Sequence, residues 1–123
     1  MNNLNYGVIG NCRTAALISQ DGNIEWLCFP DFDSPSIFAC LLDREKGGAF
    51  GFEVTGDYRI TQSYVPHTNI LSTQFSSDEG EFVVLDYMPC YRSKDETGHY
   101  LPAELYRYIH WIKGKPRFKI NYH

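Results

Sequence analysis

The sequence predicts an all-β fold, an antiparallel β-sandwich with one short helix. Apolar and polar residues alternate at the strand period along most of the chain. Aromatic residues make up 15% of the sequence, and such side chains pack well on a pleated surface. Turn signals separate about eight short apolar runs at spacings of about ten residues, which is typical of β-sandwich sequences.

The length and charge of the chain narrow the possible classes of protein. At 123 residues, one domain is expected over residues 1–123. Eleven basic against fifteen acidic residues give a net charge of −4, which argues against binding nucleic acid by phosphate neutralisation. No apolar run approaches the roughly 20 residues needed to cross a bilayer. The segment Met1–Asn5 has neither the basic start nor the apolar stretch of a secretory signal. We therefore expect a cytoplasmic protein without a membrane partner.

Residues that commonly hold metals or cofactors show no recognised spacing. The four cysteines form no CxxC pair: Cys12, Cys28, Cys40 and Cys90. The four histidines form no HxH or HExxH motif: His67, His99, His110 and His123. Zinc binding is therefore not expected, and the thiols are expected to be reduced and partly buried. The glycines in Tyr6–Asn11 do not precede a helical pattern, so they are not a dinucleotide-binding motif. The sequence predicts no cofactor and no metal.

The first elements are a hairpin and a helix. Thr14–Ser19 and Ile24–Phe29 are apolar runs joined around Asp21 and Gly22, a strong hairpin signal. Ser34 is a candidate N-cap and Pro35 a favourable first-turn residue, so a short helix is predicted over Ser36–Asp43.

The rest of the chain alternates strands and turns. Apolar residues on both faces of Phe82–Met88 predict a strand that is covered on both sides. Tyr91–Pro102 is polar and predicts a loop. The other predicted strands are Phe50–Val54, Tyr58–Tyr64, Leu71–Phe75, Leu105–Ile112 and Phe118–Tyr122. The last strand either closes its sheet or leaves an unpaired edge, which is prone to pair with another chain.

The densest cluster of candidate functional residues lies early in the chain. It contains Arg13, Trp26, Asp31, Phe32 and Asp33. Aromatic rings of this kind stack on sugars, while carboxylates and a guanidinium bind sugar hydroxyls. The alternative is that Trp26 and Phe32 are core residues and that the two aspartates shape a loop.

Neither catalysis nor metal binding is favoured for the two aspartates of this cluster. Residues two apart on one loop do not readily flank a sugar from both sides, as a glycosidase pair must. A calcium site at Asp31, Asp33 and Ser34 lacks the glycine of a calcium-binding loop. The residues alone therefore define no complete active site.

Longer stretches of the sequence resemble a known family. The segments Tyr6–Ile18, Asp21–Cys28 and Phe29–Phe38 closely resemble the N-terminal domain of bacterial and archaeal family 15 glycoside hydrolases, the glucoamylase-like and trehalase-like enzymes. Asp31 stands where an arginine is common in that family. Shorter matching segments are Leu41–Asp43, Gly47–Phe50, Tyr64–Leu71 and Asp86–Pro89.

The resemblance implies a role beside a catalytic domain. In such enzymes a β-sandwich, part of a larger supersandwich, is joined by a helical linker to an (α/α)6 barrel that hydrolyses α-glucosidic bonds with inversion. The catalytic glutamates belong to the barrel, so residues 1–123 are expected to be a truncated N-terminal domain that is inactive alone. Its implied partners are that barrel and, through it, an α-glucan or a trehalose-type sugar.

By the same resemblance, the early cluster supplies candidate contacts with the barrel or its cleft, and these are Arg13, Trp26, Asp31, Phe32 and Asp33. Two other functions remain open for the chain. One is a free-standing carbohydrate-binding module, and the other is a module that forms homo-oligomers through an open edge strand.

Overall fold

A computed structural model describes residues 6–11, 14–28, 36–39, 48–54, 56–89, 91–92, 99–100 and 104–122. These residues form only strands, turns and irregular segments, and they contain no helix that could span a membrane. The strands are β1 (Tyr6–Gly10), β2 (Ala15–Ser19), β3 (Ile24–Cys28), β4 (Ser36–Phe38), β5 (Phe50–Val54), β6 (Arg59–Tyr64), β7 (Leu71–Ser77), β8 (Gly80–Tyr87), β9 (Tyr91–Arg92), β10 (His99–Tyr100), β11 (Tyr106–Gly114) and β12 (Phe118–Tyr122).

Two antiparallel sheets form the sandwich. The larger sheet has the order β1-β2-β3-β5-β12, and the short β4 also pairs with β3. The smaller sheet has the order β11-β8-β7-β6. The strands β9 and β10 pair only with each other among the described strands. The predicted all-β sandwich is therefore confirmed, and the predicted strands from Thr14 onward lie within one or two residues of the observed ones at most of their ends.

The hairpin predicted around Asp21 and Gly22 joins β2 to β3. The amide of Ser19 donates to the carbonyl of Asn23, and the amide of Gly22 donates to the carbonyl of Ser19. Gly22 has a φ of 84°, a left-handed conformation that glycine adopts without strain. The turn brings the Gly22 carbonyl to the core side, where a side chain of the smaller sheet binds it.

The core lies between the sheets as two clusters. One is mainly aliphatic and consists of Ile9, Ala16, Ile18, Ile24, Leu27, Phe38, Leu71 and Met88. The other is mainly aromatic and consists of Phe52, Phe75, Phe82 and Val84. Within the second cluster the rings of Phe75 and Phe82 stack with centroids 4.7 Å apart, and Phe118 stacks on Phe82 at 4.4 Å.

The predicted helix over Ser36–Asp43 is wrong where the structure describes it. Ser36–Phe38 is strand β4, which pairs with Leu27 and Cys28 of β3. Phe38 is buried, and its ring lies 5.5 Å from that of Tyr122. Pairing with β3 together with burial of an aromatic side chain outweighs the local capping signal of Ser34 and Pro35. Residues 40–43 of the predicted helix, together with Ser34 and Pro35, lie outside the described residues.

Two further segments contain strands that the sequence analysis did not predict. Tyr6–Gly10 forms β1, although its two glycines weaken the strand pattern. Gly7 faces the smaller sheet, where an added Cβ would lie only 3.0 Å from one methyl carbon of Leu71. The predicted loop Tyr91–Pro102 contains β9 and β10, because its two ends pair antiparallel with each other.

Candidate functional site

The outer face of the smaller sheet carries an aromatic surface along β8 and β11. Cross-strand pairing places Tyr106 beside Tyr87 and Tyr108 beside Leu85. We call these four residues the tyrosine face. Their neighbours Phe82, Val84 and Asp86 on β8 point into the core, so strand alternation directs the tyrosine face away from it.

The rings of the tyrosine face are ordered and accessible. Tyr87 and Tyr106 stack with centroids 5.4 Å apart and planes at 23°. Tyr106 is 43% exposed and its hydroxyl donates to Glu104 at 2.7 Å, while Tyr108 is 56% exposed. Ring surfaces with a polar tip of this kind are suited to contact with another protein surface or with a sugar.

Beneath this face, a buried ion pair holds β11 to the rest of the sandwich. The Arg107 guanidinium donates to both oxygens of the Asp86 carboxylate, at 2.6 Å and 3.1 Å. It also donates to the backbone carbonyls of Phe50, at 2.7 Å, and of Gly22. The ring centroids of Phe50 and Phe52 lie about 5 Å from the guanidinium carbon. Because Arg107 and Asp86 belong to the smaller sheet and their partners to the larger, one side chain joins the two layers.

The electrostatics of this pair reflect its burial. Removal from water raises the pKa of the Asp86 carboxyl above its ordinary value, while the hydrogen bonds and positive charge of Arg107 oppose that rise. The four hydrogen bonds of the guanidinium go to Asp86 or to backbone carbonyls, and the Arg107 side chain is only 4% exposed. The pair therefore fixes β11, and it presents no group to a substrate.

Of the residues predicted for the functional site, the structure describes Trp26. It lies on β3 opposite Leu17, which in turn lies opposite Val8 on β1. Trp26 and Leu17 are half-buried, Val8 is 47% exposed, and none of the three belongs to either core cluster. They form a short apolar row across the outer face of the larger sheet. Arg13, Asp31, Phe32 and Asp33 lie outside the described residues.

Glu25 adds a polar group next to Trp26. Its carboxylate is nearly buried and accepts a hydrogen bond from the Tyr6 hydroxyl at 2.8 Å. The bond ties β3 to the start of β1, so a charged group is accommodated beside the apolar row. Within the described part of the chain, no group of three or more histidine, cysteine or acidic side chains is arranged to hold a metal ion.

Part of the tyrosine face was predictable from the residue pattern. Apolar residues on both faces of Phe82–Met88 predicted a strand covered on both sides, and Val83 and Leu85 are indeed buried or half-buried on the outer side. Tyr106 and Tyr108 alternate with Arg107 and Ile109. Assigning these tyrosines to one surface required the register between β8 and β11, which the sequence does not display.

The fold and its surfaces define a class of protein. It is a β-sandwich domain whose two outer faces both carry apolar side chains suited to contact with another domain or protein. Comparison with protein families is more specific. The family described as "Trehalase-like, N-terminal" matches residues 5–104. The chain belongs to this family of trehalase-like N-terminal domains.

Curated relatives carry trehalase names. The chain is 40% identical over 86 residues to "Trehalase 2" of Sulfolobus acidocaldarius, covering 70% of this chain and 14% of that protein. It is 36% identical over 108 residues to "Trehalase" of Thermoplasma volcanium, covering 85% of this chain and 16% of that protein. "Trehalase 1" of Sulfolobus acidocaldarius is 47% identical over 85 residues, which cover 68% of this chain and 14% of that protein. The chain thus matches only about a seventh of the length of these relatives. No solved structure matches the chain significantly.

Proposed function

We propose that this chain acts as the non-catalytic N-terminal domain of a trehalase-like glycoside hydrolase, where it packs on a catalytic domain and helps to shape the substrate cleft. Membership of the trehalase-like N-terminal family supports the assignment. The observation that carries the contact is the tyrosine face, with Tyr106 and Tyr108 about half exposed on a strand that the buried Arg107 holds in place. An ordered apolar surface of this kind marks a contact site.

The apolar row on the larger sheet supplies the second part of the proposal. Trp26 lies on the strand that leads toward Asp31, Phe32 and Asp33, so these residues and Arg13 remain candidates for contact with the catalytic domain or its cleft. The hydrolysis itself is assigned to the catalytic domain. On its own, the chain is expected to leave trehalose and α-glucans intact.

A domain exchange tests this function. Only the segment of Trehalase 2 of Sulfolobus acidocaldarius that matches this chain is replaced by it, and trehalose hydrolysis and thermal inactivation are measured. We expect the chimera to hydrolyse trehalose and Tyr108→Asp in it to lose most of its heat resistance, since a buried carboxylate at an apolar contact is costly. Thr61→Asp is the matched control, because Thr61 is exposed on the far strand β6 of the same sheet. Equal behaviour of the two variants would contradict docking through the tyrosine face.

Carbohydrate binding by the isolated chain is a second candidate function. Its support is the exposure of two ring side chains on the outer face of β11, with Tyr106 at 43% and Tyr108 at 56%. Aromatic rings stack on the apolar face of a pyranose. Calorimetric titration with maltooligosaccharides and trehalose tests it, and binding should weaken at least tenfold in Tyr108→Ala. Titrations without heat change at millimolar sugar would exclude this function.

A further inference from the structure

The turn between β6 and β7 holds one residue in an unfavourable backbone conformation. His67 has a φ of 62°, and among the described residues it is the only non-glycine residue with a positive φ. Pro66 precedes it, and the amide of Thr68 donates to the carbonyl of Val65 at 3.1 Å. Proline at the second position and a positive φ at the third are the signature of a type II turn. Glycine is the residue that fits this third position without strain.

Both ends of the turn are anchored, which maintains the conformation of its central residues. The amide of Val65 donates to the carbonyl of Ile70 at 2.9 Å, and the amide of Ile70 donates to the Thr68 hydroxyl at 3.1 Å. At the last residue of β6, the Tyr64 hydroxyl accepts a hydrogen bond from the amide of Val8 at 2.9 Å and donates to its carbonyl at 3.0 Å. These bonds occupy both backbone groups of Val8, so another strand cannot pair with β1 at that residue. They also join the turn to the larger sheet, and strained residues persist where surrounding contacts fix them in this way.

The imidazole of His67 gives the fold no contact in return for this strain. His67 is exposed, and in the described part of the chain its ring forms no hydrogen bond, ion pair or ring contact. Glycine would therefore serve the turn better than histidine does. A side chain that strains its own backbone and contacts nothing in its own domain is suited to contact a partner.

The turn adjoins the tyrosine face. Leu71 lies opposite Asp86 in the pairing of β7 with β8, so Ile70 and Tyr87, one residue further along, are neighbours at the same end of the sheet. Tyr87 in turn stacks on Tyr106 within the tyrosine face. The exposed turn therefore lies at the rim of this aromatic surface. An apolar centre with polar groups at its rim is the usual anatomy of an interface between proteins.

We propose that His67 is a contact residue at the rim of the tyrosine face, where its imidazole donates a hydrogen bond to an acceptor group of the catalytic domain. This inference rests on the proposed function, because the catalytic domain is the partner that docks on that face. An imidazole carries an N–H donor in both of its protonation states, and it can bind a carboxylate or a carbonyl. The anchored turn fixes where the ring is presented, so the strain serves docking and not the fold.

The substitution His67→Gly separates docking from the stability of the fold. In the isolated chain it should raise the midpoint of thermal unfolding by about 2–5 °C, because glycine adopts the positive φ without strain. In the chimera that tests the proposed function, it should shorten the half-life of heat inactivation at least about threefold, which is the effect of losing one hydrogen bond of average strength. A purely structural role would move both quantities in the same direction.

Asp78→Ala is the matched control for the loss of an exposed turn side chain. Asp78 is exposed in the turn between β7 and β8, at the opposite end of the same sheet, so its loss should leave the half-life of the chimera unchanged. A midpoint that does not rise in His67→Gly would overturn the strain, and a half-life that does not fall would overturn the contact. A raised KM for trehalose with an unchanged half-life would place His67 against the sugar, and it would also overturn the contact with the catalytic domain.

The same chimera distinguishes failure of this inference from failure of the proposed function. Equal heat resistance of Tyr108→Asp and Thr61→Asp contradicts docking through the tyrosine face, and the rim contact then falls with it. If only Tyr108→Asp loses heat resistance, docking stands, and His67→Gly decides the rim contact by itself.

Discussion

Arg107 offers a stringent test of how the two sheets are held together. Its guanidinium contacts both oxygens of Asp86 in the smaller sheet and the carbonyls of Phe50 and Gly22 in the larger sheet. The side chains of Arg107 and Asp86 are 4% and 0% exposed. Arg107→Met retains an apolar stem of similar length and removes every donor of the guanidinium.

We expect Arg107→Met to lower the free energy of unfolding by about 3–5 kcal/mol at neutral pH. That is the usual effect of removing one partner of a buried ion pair, because the other charge is left uncompensated. Small domains have only about 5–15 kcal/mol of stability in total. The midpoint of thermal unfolding should accordingly fall by roughly 10–20 °C. Urea unfolding followed by circular dichroism, together with a thermal melt, gives both quantities.

The pH dependence separates the effect of charge from that of packing. In the native chain Arg107 opposes the rise that burial causes in the pKa of Asp86, so its removal should raise that pKa further. A carboxyl whose pKa is higher in the folded than in the unfolded state binds protons preferentially when folded. Its contribution to stability is present at low pH and is lost as the pH rises through the folded-state pKa. The destabilisation by Arg107→Met should therefore be smaller at about pH 5 than at neutral pH.

The double variant Asp86→Leu with Arg107→Met is the matched control. It removes both charges together, and apolar replacement of a buried pair is often close to neutral, so most of the lost stability should return. A loss below about 1 kcal/mol in the single variant would refute the inter-sheet role of Arg107. A loss that is the same at both pH values would refute the assignment of the effect to the uncompensated Asp86 charge.

Three further substitutions have defined outcomes. Gly114→Ala should lower the free energy of unfolding in urea by about 2–4 kcal/mol. Gly114 has a φ of 72°, and an added Cβ would lie 2.7 Å from the Cα of Gly80. A loss of stability under about 1 kcal/mol would contradict this close approach. Trp26→Ala should cost about 1–3 kcal/mol, less than a core aromatic, since Trp26 is half-buried outside both core clusters. Tyr64→Phe should change the free energy of unfolding by less than about 1 kcal/mol. It should increase self-association of the chain through β1, because the Tyr64 hydroxyl binds the backbone amide and carbonyl of Val8. Unchanged light scattering in this variant would argue against the role of Tyr64 in closing the edge.

The sequence was sufficient for the fold class because the strand period is local. Asp21 and Gly22 mark a hairpin, and alternation along Phe50–Val54 and Leu71–Phe75 sets which side chains enter the core. Ser36–Phe38 shows where local signals fail. A capping residue and a proline favour a helix there, but β3 offers unpaired backbone and a core position for Phe38, which no local pattern reveals.

The functional surfaces were less accessible to sequence reasoning than the fold. Trp26 was identified as a candidate from its residue type, and its place on the outer face became clear only from its register with Leu17. The tyrosine face depends on which residues of β8 lie beside which residues of β11. In the sequence, Arg107 is one charged residue on an alternating strand, and nothing nearby predicts its burial. It is buried because the carbonyls of Gly22 and Phe50 approach it from the larger sheet.

The contrast between the two sides of the sandwich links stability to function. Tyr64 closes the edge at β1 by binding both backbone groups of Val8, while Gln62 ties the same strand β6 to the Ser19 carbonyl of β2. No described side chain of the smaller sheet binds the backbone of β12 in the same way, and this strand carries the exposed apolar side chains of Ile120 and Tyr122. The proposed docking of a catalytic domain uses the outward-pointing tyrosine face, so closure of the β1 edge and docking involve different parts of the sandwich.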